Sequence, residues 1–522
     1  MRHRDLIARG CVLATWPSLE ALIVEYLQTG SMRTHARIVG DNPPGLAPLL
    51  RAPGFGPASV KKLHDALGVD DLDDVERAAH EGRLATALGK TRAEQLTVLL
   101  PRLRHPILEM RLKSAWEAAR DVVELLMESD APPERIEVCG AARRMCEIVA
   151  DGLSLVALAG PGGPAALLEA LVGLPSVFEV IERDASAARV RLYDGLEVAL
   201  HIVSRESFGT ALVQHTGSIA HLQRLGELPH AISEEELYAK LDLPWIAPEL
   251  REDSGEIEAA HDGSLPRLIE ETDLHGDLHC HTNWTDGVAS LEEMARAARA
   301  RGYAYMALTD HSRSLTITNG LSIERLAEAR RRVDRLNQRL APFVILLGTE
   351  MDILEDGRLD YPDEVLASLD YVSASIHSRF KQTHEVMTAR VVRAVSHPLV
   401  HTLNHPHGRL LLNRPAYAVD MQRVIETAAR VGCAVEVSAD PARMDLDGGW
   451  ARRARAAGGR CTVSSDAHST LDYDNIWLGV GSARRGWLEK ADVLNTRPLA
   501  ELRALLAASR EQSAVSRWDG PA

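Results

Sequence analysis

Long apolar runs, closely paired cysteines and a leader-like start are missing from this chain of 522 residues. No stretch of about eighteen apolar residues occurs, so the sequence predicts no membrane-spanning helix. The start, Met1–Asp5, precedes no apolar segment with a cleavage site, which argues against a secretory signal. The six cysteines include no Cys-x-x-Cys pair, and this pattern favours a reduced, cytoplasmic setting.

Positive charge is also in short supply, because 59 lysines and arginines stand against 74 acidic residues and the net charge is −15. This balance argues against a general nucleic-acid binder, although a local basic face can still bind phosphate. The length indicates roughly three domains, and the apolar fraction of 45% is ordinary for a globular protein. Histidine, in contrast, is abundant: there are 21, and they cluster after residue 275.

The segment Asp277–His281 is predicted to be a strand that brings two imidazoles together. Side chains two apart in a strand share a face, so His279 and His281 project together while Cys280 projects to the other side. Asp286 follows on a tight turn. Histidines at this spacing can bind a metal ion, although most isolated His-x-His pairs are surface or core residues.

From about residue 265 onward strands and helices alternate, which predicts parallel strands in a barrel. The predicted strands are 277–281, 304–310, 344–351, 371–377, 400–404, 434–439 and 460–465. Histidine or a carboxylate recurs at the strand ends and in the first loop, at His279, His281, Asp286, Asp310, His311, Glu350, His377, His405, Asp466 and His468. Strand ends meet at one side of such a barrel, so the pattern predicts a multinuclear metal site. The alternative is a barrel whose ligands have decayed.

A Pro-Gly-Phe-Gly turn near residue 55 separates two predicted helices. Gly54 and Gly56 would allow the turn and expose backbone N–H groups at a helix N-terminus, where a phosphate can bind. Lys61 and Lys62 add positive charge nearby. The pattern is typical of a helix-hairpin-helix and predicts contact with DNA. The alternative is a plain pair of helices joined by a glycine turn.

The region between this turn and the barrel is predicted to be an α+β segment. Apolar spacing indicates a long helix over 108–125, and Arg135–Gly140 is expected to be a strand that enters a turn. Two antiparallel strands, 189–192 and 196–203, are predicted around the turn at Asp194–Gly195.

Several motifs after residue 275 occur in the order found in the PHP (polymerase and histidinol phosphatase) domain. They are Asp277–Gly287, Leu308–Ser312, Gly348–Glu350, Ser375–Ser378, Asn404–Pro406 and Ser465–His468. With Glu436–Pro441 and Gly479–Trp487 added, nearly everything after residue 45 resembles a bacterial family X DNA polymerase with a C-terminal PHP domain.

This resemblance implies a multidomain α/β fold that ends in a distorted (β/α)7 barrel. The implied domains are a truncated N-terminal helical segment (1–45), a helix-hairpin-helix region (46–105), an α+β nucleotidyltransferase-like palm (106–205), a thumb-like domain with linker (206–265), the PHP barrel (266–507) and a flexible tail (508–522).

The resemblance also implies up to three metal ions held by nine residues. One ion would be held by His279, His281, Glu350 and Asp466, a second by Glu350, His377 and His405, and a third by Asp286, His311 and His468. Glu350, Asp466 and His281 would be the catalytic residues, because they hold the ion that activates water. Mixed histidine and carboxylate ligands suit Mn²⁺, Zn²⁺ or Fe²⁺ better than Mg²⁺.

The palm-like region departs from the family pattern at its catalytic positions. A polymerase palm holds two ions with three aspartates, whereas this chain has Asp151, Leu153 and Ala199 at those places. Ala141 replaces the serine that would contact a triphosphate. Nucleotidyl transfer needs these carboxylates, so we expect polymerase activity to be lost. The palm and thumb would remain as a scaffold that presents nucleic acid to the barrel.

The expected function is that of a metal-dependent phosphoesterase acting on DNA, as a 3′→5′ exonuclease or in 3′-end processing during DNA repair. The expected partner is single-stranded DNA, gapped DNA or a 3′ end. No association with a membrane is expected. One alternative is a histidinol-phosphatase-like enzyme for a small phosphate ester, which leaves residues 45–265 without a role. Another is a DNA-binding scaffold with an inert metal site, against which the complete ligand set argues.

Overall fold

The computed structural model describes residues 43–51, 55–104 and 109–515. The predicted N-terminal segment 1–45 lies almost entirely outside these residues, and so does Gly54. The chain divides into two compact units, Met1–Ile107 and Leu108–Ala522. None of the helices that are described has both the length and the apolar character needed to cross a bilayer.

The described part of the first unit consists of helices around one apolar core. They are the 3-10 helix Pro44–Arg51 and the α-helices Pro57–Leu67, Leu72–His80, Leu84–Leu88 and Lys90–Arg104. Leu49, Leu63 and Leu96 are completely buried between them. Asp71 caps the second α-helix by accepting a hydrogen bond from the backbone N–H of Asp74 at 2.8 Å. Apolar burial and capping together explain why this short segment folds as helices.

The second unit begins with a mixed sheet beside the helix Leu112–Met127. The strands, in spatial order, are Arg135–Val138, Leu153–Leu158, Glu197–Ile202, Ala187–Leu192 and Val177–Arg183. Only the second and third of these run parallel to each other. Further helices in this region are Gly140–Arg143, Gly163–Val172 and Phe208–Thr216. The predicted antiparallel pair around Asp194–Gly195 is confirmed, and the long helix begins at Leu112 instead of residue 108.

Three short helices, Ile219–Leu225, Glu234–Lys240 and Glu256–Asp262, link this sheet to the barrel. A fully buried hydrogen-bond network joins them. His221 Nδ1 lies 2.6 Å from a carboxylate oxygen of Glu256, and its Nε2 lies 3.0 Å from the Tyr238 hydroxyl. The barrel residue Trp487 packs into the same apolar cluster, so this segment and the barrel share a core.

Seven parallel strands form the barrel, each beside its neighbour in sequence. They are Gly276–Asp277, Tyr305–Leu308, Val344–Asp352, Tyr371–Ser375, Thr402–Leu403, Ala434–Ser438 and Cys461–Ser464. The first and last strands meet through a bridge between Cys280 and Ala467. At this seam His281 donates its backbone N–H to Ala467 at 2.8 Å, and Ser465 donates to the Asp277 carboxylate at 3.1 Å. The predicted (β/α)7 barrel is confirmed.

Helices follow the strands and cover the barrel. They are Leu291–Ala300, Ile323–Leu340, Asp363–Ala367, His384–Val395, Met421–Val431, Gly448–Ala456, Ile476–Arg485 and Leu499–Val515. The last of these continues into segment 508–522, which the sequence predicts to be a flexible tail.

The prediction of a strand over 277–281 is wrong in extent, since the strand ends at Asp277. Side chains take over the backbone hydrogen bonds at this point. The N–H of His279 donates to the Asp277 carboxylate at 2.9 Å, and the N–H of Cys280 donates to the Thr309 hydroxyl at 2.9 Å. The chain therefore turns into the barrel mouth immediately after two ladder residues.

Candidate metal centre

Six histidines and three carboxylates from different strand ends converge at the barrel mouth. Four overlapping groups have ligand atoms within 4.8 Å of one another: His281, Asp286, His311 and His468; His279, His281 and Glu350; His279, His405 and Asp466; and His311, Glu350 and His377. These groups contain every one of the nine residues that the sequence analysis proposes as ligands. His279 and His281 do point to one place, with their Nε2 atoms 3.2 Å apart, although the segment is not the predicted strand.

Glu350 lies at the centre of this arrangement. Its Oε1 is 2.8 Å from His405 Nε2 and 3.3 Å from His377 Nε2, and its Oε2 is 2.9 Å from His311 Nδ1. The Ser375 hydroxyl donates to Oε1 at 2.5 Å. Burial alone would raise the pKa of Glu350, but the surrounding imidazoles lower it well below its usual range. The carboxylate is therefore ionised and faces ligand atoms on both sides, as a bridging group must.

Asp466 and Asp286 occupy opposite sides of the imidazole pair. Asp466 Oδ1 lies 3.4 Å from His279 Nε2 and 3.3 Å from His281 Nε2. Asp286 Oδ2 lies 3.2 Å from His311 Nε2 and 3.4 Å from His468 Nε2. His281 Nδ1 lies 3.8 Å from Asp286, so the His281 ring stands between the two carboxylates.

Two of the histidines are held ready to bind a cation. Burial lowers the pKa of His281 to about 3 and that of His405 to about 4, so both rings are neutral at pH 7 and keep a lone pair. The Nδ1 atoms of these rings are buried without a hydrogen-bond partner. Unpaired buried nitrogens beside ionised carboxylates fit a transition metal ion.

A second layer of carboxylates, which the sequence analysis did not propose as functional, orients these ligands. Glu436 lies 2.7 Å from His279 Nδ1 and accepts the backbone N–H of His405 at 2.8 Å. Asp352 lies 2.9 Å from His377 Nδ1. Such partners fix the tautomer and orientation of a ligating imidazole. An acidic residue inside the buried strand Ala434–Ser438 is the signal that could have found Glu436.

Asp310, at a strand end, holds the first loop instead of facing this cluster. Its carboxylate accepts hydrogen bonds from the hydroxyls of Thr282 and Thr285, both at 2.6 Å, and from the backbone N–H of Thr282 at 2.8 Å. This loop carries Asp286, so Asp310 supports one of the proposed ligands from behind.

The three positions that the resemblance assigns to a palm site, Asp151, Leu153 and Ala199, line one cavity of about 380 Å³. Asp151 is exposed in the bend before its strand, Leu153 is buried, and Ala199 lies opposite Ser154 on the neighbouring parallel strand. The other acidic residues at this cavity are Glu182, Asp184 and Glu197. Arg189 lies 2.7 Å from Glu182.

The arginines of the palm motif contact the thumb-like segment. Arg143 donates to both carboxylate oxygens of Glu234 at 2.7 and 2.9 Å. Arg144 donates to Glu252 at 2.9 Å and to the Thr216 carbonyl at 2.8 Å. Both arginines are therefore occupied by protein partners.

In the first unit, Gly56 precedes the helix Pro57–Leu67, and Lys61 and Lys62 are exposed on it. At Gly56 the backbone does not require glycine, because its φ of −105° is open to any residue and none of the described residues lies within 4 Å of an added Cβ. Lys61 lies 3.4 Å from Asp65 on the next turn. Gly54 lies outside the described residues.

Some known proteins are similar to nearly the whole chain, and others are similar to a shorter part of it. Residues 277–435 match the PHP domain family. The DNA polymerase/3′-5′ exonuclease PolX of Bacillus subtilis is 35% identical over 93% of this chain and 89% of its own length. Probable phosphatases match a shorter part: that of Caldanaerobacter subterraneus is 28% identical over 38% of this chain and 77% of its own length. The probable phosphatase of Shewanella sediminis is 27% identical over 43% of this chain and 91% of its own length. Since one similarity spans nearly the whole of both proteins, the chain belongs to the PolX family and carries its PHP domain.

Proposed function

We propose that the protein is a metal-dependent phosphoesterase that hydrolyses DNA from 3′ ends, as a 3′→5′ exonuclease or a 3′-end-processing enzyme. The observation that carries this proposal is the convergence of nine ligand-type side chains at the barrel mouth. The name of the Bacillus relative pairs polymerase with 3′-5′ exonuclease. Leu153 and Ala199 replace two of the three palm carboxylates, so we assign only the hydrolytic activity to this chain.

The proposed ligand sets follow the family pattern. His279, His281, Glu350 and Asp466 hold one ion, Glu350, His377 and His405 hold a second, and Asp286, His311 and His468 hold a third. The ions are Mn²⁺, Zn²⁺ or Fe²⁺, because imidazole nitrogens outnumber carboxylates among the ligands. Divalent ions at such a site lower the pKa of water and neutralise phosphate charge.

The protein's own part in the reaction is to hold charge and geometry. Glu350, Asp466 and His281 are the proposed catalytic residues, since they surround one ion position from three sides. The side chains of Glu350 and His281 are 1% and 0% exposed, so both are shielded from bulk solvent. Glu436 and Asp352 keep the ring orientations of His279 and His377 fixed.

DNA is the proposed substrate because the first unit has no role in hydrolysing a small ester. The proposed DNA contacts are Gly54 and Gly56, which precede helix Pro57–Leu67 in the sequence, and Lys61 and Lys62, which add positive charge to that helix. Such a helix binds phosphate without reading sequence. The first unit would then hold the DNA backbone while the barrel hydrolyses it.

A second candidate is a phosphatase for a small phosphate ester. It is favoured by one observation: relatives that match only about two fifths of this chain are named probable phosphatases. The two functions differ in substrate size and not in the metal centre.

One assay separates them. The protein is incubated with Mn²⁺ and 5′-labelled single-stranded, recessed and gapped DNA, with and without dNTPs, and with p-nitrophenyl phosphate in parallel. We expect stepwise shortening of the DNA and slow release of p-nitrophenol. Rapid ester hydrolysis with intact DNA would favour the second candidate. Elemental analysis of protein purified without chelator should find more than one transition metal ion per chain, and less than one ion would contradict the proposed centre.

A further inference from the structure

Glu147 joins the palm to the barrel. Its carboxylate lies 3.2 Å from Arg409 Nη2, and both side chains are largely buried, at 20% and 16% exposure. Beside this pair, the Arg111 guanidinium donates two hydrogen bonds to the Leu411 carbonyl at 3.2 and 3.0 Å. A segment of the palm that has no place in a metal centre thus binds the barrel loop that follows His407.

Arg409 also forms hydrogen bonds with a second barrel loop. Its Nε donates to the Arg443 carbonyl at 3.0 Å, and its Nη2 donates to the Met444 carbonyl. Asp445 ties the same loop to His407 through the backbone N–H and the ring Nδ1, both at 2.9 Å. Arg409 therefore fixes the backbone from which the Arg443 side chain extends.

Arg443 reaches the edge of the proposed metal centre. Its Nε lies 3.3 Å from Asp466 Oδ2 and 3.3 Å from Asp440 Oδ2, but makes no hydrogen bond. Asp466 uses its other oxygen, Oδ1, toward His279 and His281. The Arg443 side chain is 18% exposed. It therefore contacts both the proposed metal centre and the solvent from which a substrate would arrive.

Charge balance indicates what this guanidinium binds. Three divalent ions would carry twice the charge that the carboxylates of Asp286, Glu350 and Asp466 can neutralise. The Arg443 guanidinium, although Asp440 and Asp466 lie beside it, adds positive charge at this edge of the site, and this charge favours the binding of an anion. A phosphodiester supplies that anion, and a guanidinium matches two phosphate oxygens with its forked donors.

We propose that Arg443 contacts the scissile phosphate and that Glu147, acting through Arg409, is a positioning residue supplied by the palm. This inference rests on the proposed function of the barrel. It gives the palm a role in hydrolysis that does not need the carboxylates missing at Leu153 and Ala199.

The test compares Arg443→Ala, Arg443→Lys, Glu147→Gln and the double variant Glu147→Gln/Arg443→Ala. Binding of inorganic phosphate to the Mn²⁺-loaded full chain is measured by calorimetry, alongside metal content and the KM and kcat for labelled DNA. We expect Arg443→Ala to raise the phosphate Kd about tenfold or more, with Arg443→Lys recovering part of the loss. Glu147→Gln should raise Kd a few-fold and add nothing in the double variant. Metal content should stay at the wild-type level throughout.

Glu169→Gln is the matched control, because Glu169 is an exposed palm glutamate that lies 2.9 Å from Arg183 within the palm. It should leave every measurement unchanged. An unaltered phosphate Kd in Arg443→Ala would overturn the contact. A full additional loss from Glu147→Gln in the double variant, or loss of metal, would overturn the positioning role. If wild-type protein binds phosphate as expected but leaves DNA intact, the proposed hydrolysis of DNA fails, whereas the contact between Arg443 and a bound phosphate stands.

Discussion

The mixed sheet, which we assign to a palm, and the barrel both bring chosen positions on neighbouring parallel strands together, but only the barrel has the full set of expected ligand side chains there. In the palm, Ala199 lies opposite Ser154, and the cavity beside them retains Asp151 alone of the expected carboxylates. In the barrel, Glu350 lies opposite Ser373 and faces several imidazoles. The backbone frame is therefore preserved in both regions, whereas the chemistry depends on a few side chains.

Apolar packing sustains the strand framework around Leu153 and Ala199, where two of the three expected carboxylates are absent. Leu153 is 2% exposed and belongs to the apolar core. An aspartate at that position would bury a charge and repel Asp151, which costs free energy unless metal ions compensate. Replacing it with leucine removes this cost and adds apolar burial.

Removal of a proposed ligand from the barrel should have the largest effect on hydrolysis. The barrel, like the palm, would then lack part of its ligand set. We expect Glu350→Ala and Asp466→Ala to lower hydrolysis below about one hundredth of wild type, since losing even an outer partner costs about 10–100-fold. Circular dichroism and thermal melting would show that both variants fold. Glu328→Ala, on an exposed helix beside Arg332, is the control. Near-normal turnover in either ligand variant would refute the assignment.

The next largest effect is expected from Glu436, which contacts a proposed metal ligand and not the ion itself. Glu436→Gln should weaken transition-metal affinity about 10–100-fold, because His279 loses the anion that orients its ring. Competition with a calibrated chelator measures this affinity. An unchanged affinity would mean that Glu436 only fills space in its strand.

The comparison extends to stability through Glu234, which links palm and thumb. Burial would raise its pKa, but hydrogen bonds from Arg251 and Arg143 lower the pKa to about 2, against an ordinary value of 4.5. Its stabilisation is complete above pH 4.5 and disappears as pH falls toward 2. Glu234→Gln should reduce the free energy of unfolding by roughly 3 kcal/mol at pH 7. Urea titrations at pH 7 and pH 3 should show the difference from wild type shrinking with acid, and a constant difference would disprove the linkage.

A weaker effect is expected in the first unit, where we propose contacts to the DNA backbone. Lys61→Glu and Lys62→Glu should each reduce the salt dependence of DNA binding by about one ion. Gly56→Val is a further probe, because the φ of Gly56 is ordinary and none of the described residues lies within 4 Å of an added Cβ. Lys490→Glu, in the barrel, serves as control. Wild-type affinity and salt slope in all three variants would show that the hairpin is only structural.

The smallest expected signal is nucleotide addition, for which we predict none. Asp151 alone cannot organise two ions, so primer extension on gapped DNA should be absent in Mg²⁺ and Mn²⁺. The assay belongs on the Asp466→Ala background, where hydrolysis cannot mask weak extension. Extension that depends on the matching dNTP would break the comparison, and would mean that other residues supply the missing ligands.

The sequence predicts the barrel well because its strands are short apolar runs, and the nine residues proposed as ligands do converge in the structure. It predicts strand lengths poorly where side chains replace the ladder, as at Asp277 and Thr309. It also misses partners that only tertiary folding brings together. Glu436 reads as one polar residue in a strand, and nothing near Glu147 in sequence points to Arg409. The partners of Arg143 and Arg144 could not be predicted for the same reason, because Glu234 and Glu252 are distant from them in sequence.

The seam of the barrel sets a condition on when the metal centre can exist. The hydrogen bond between Ser465 and Asp277 spans 188 residues, and the proposed ion sites draw on His279 and His281 from the start of the barrel and on Asp466 and His468 from its end. During synthesis the early histidines leave the ribosome long before their partners do. A chain interrupted anywhere before residue 466 would therefore lack Asp466 from the first proposed ligand set and His468 from the third, although the second set would be complete. With Asp466 essential as proposed, hydrolysis would begin only after synthesis has passed this residue.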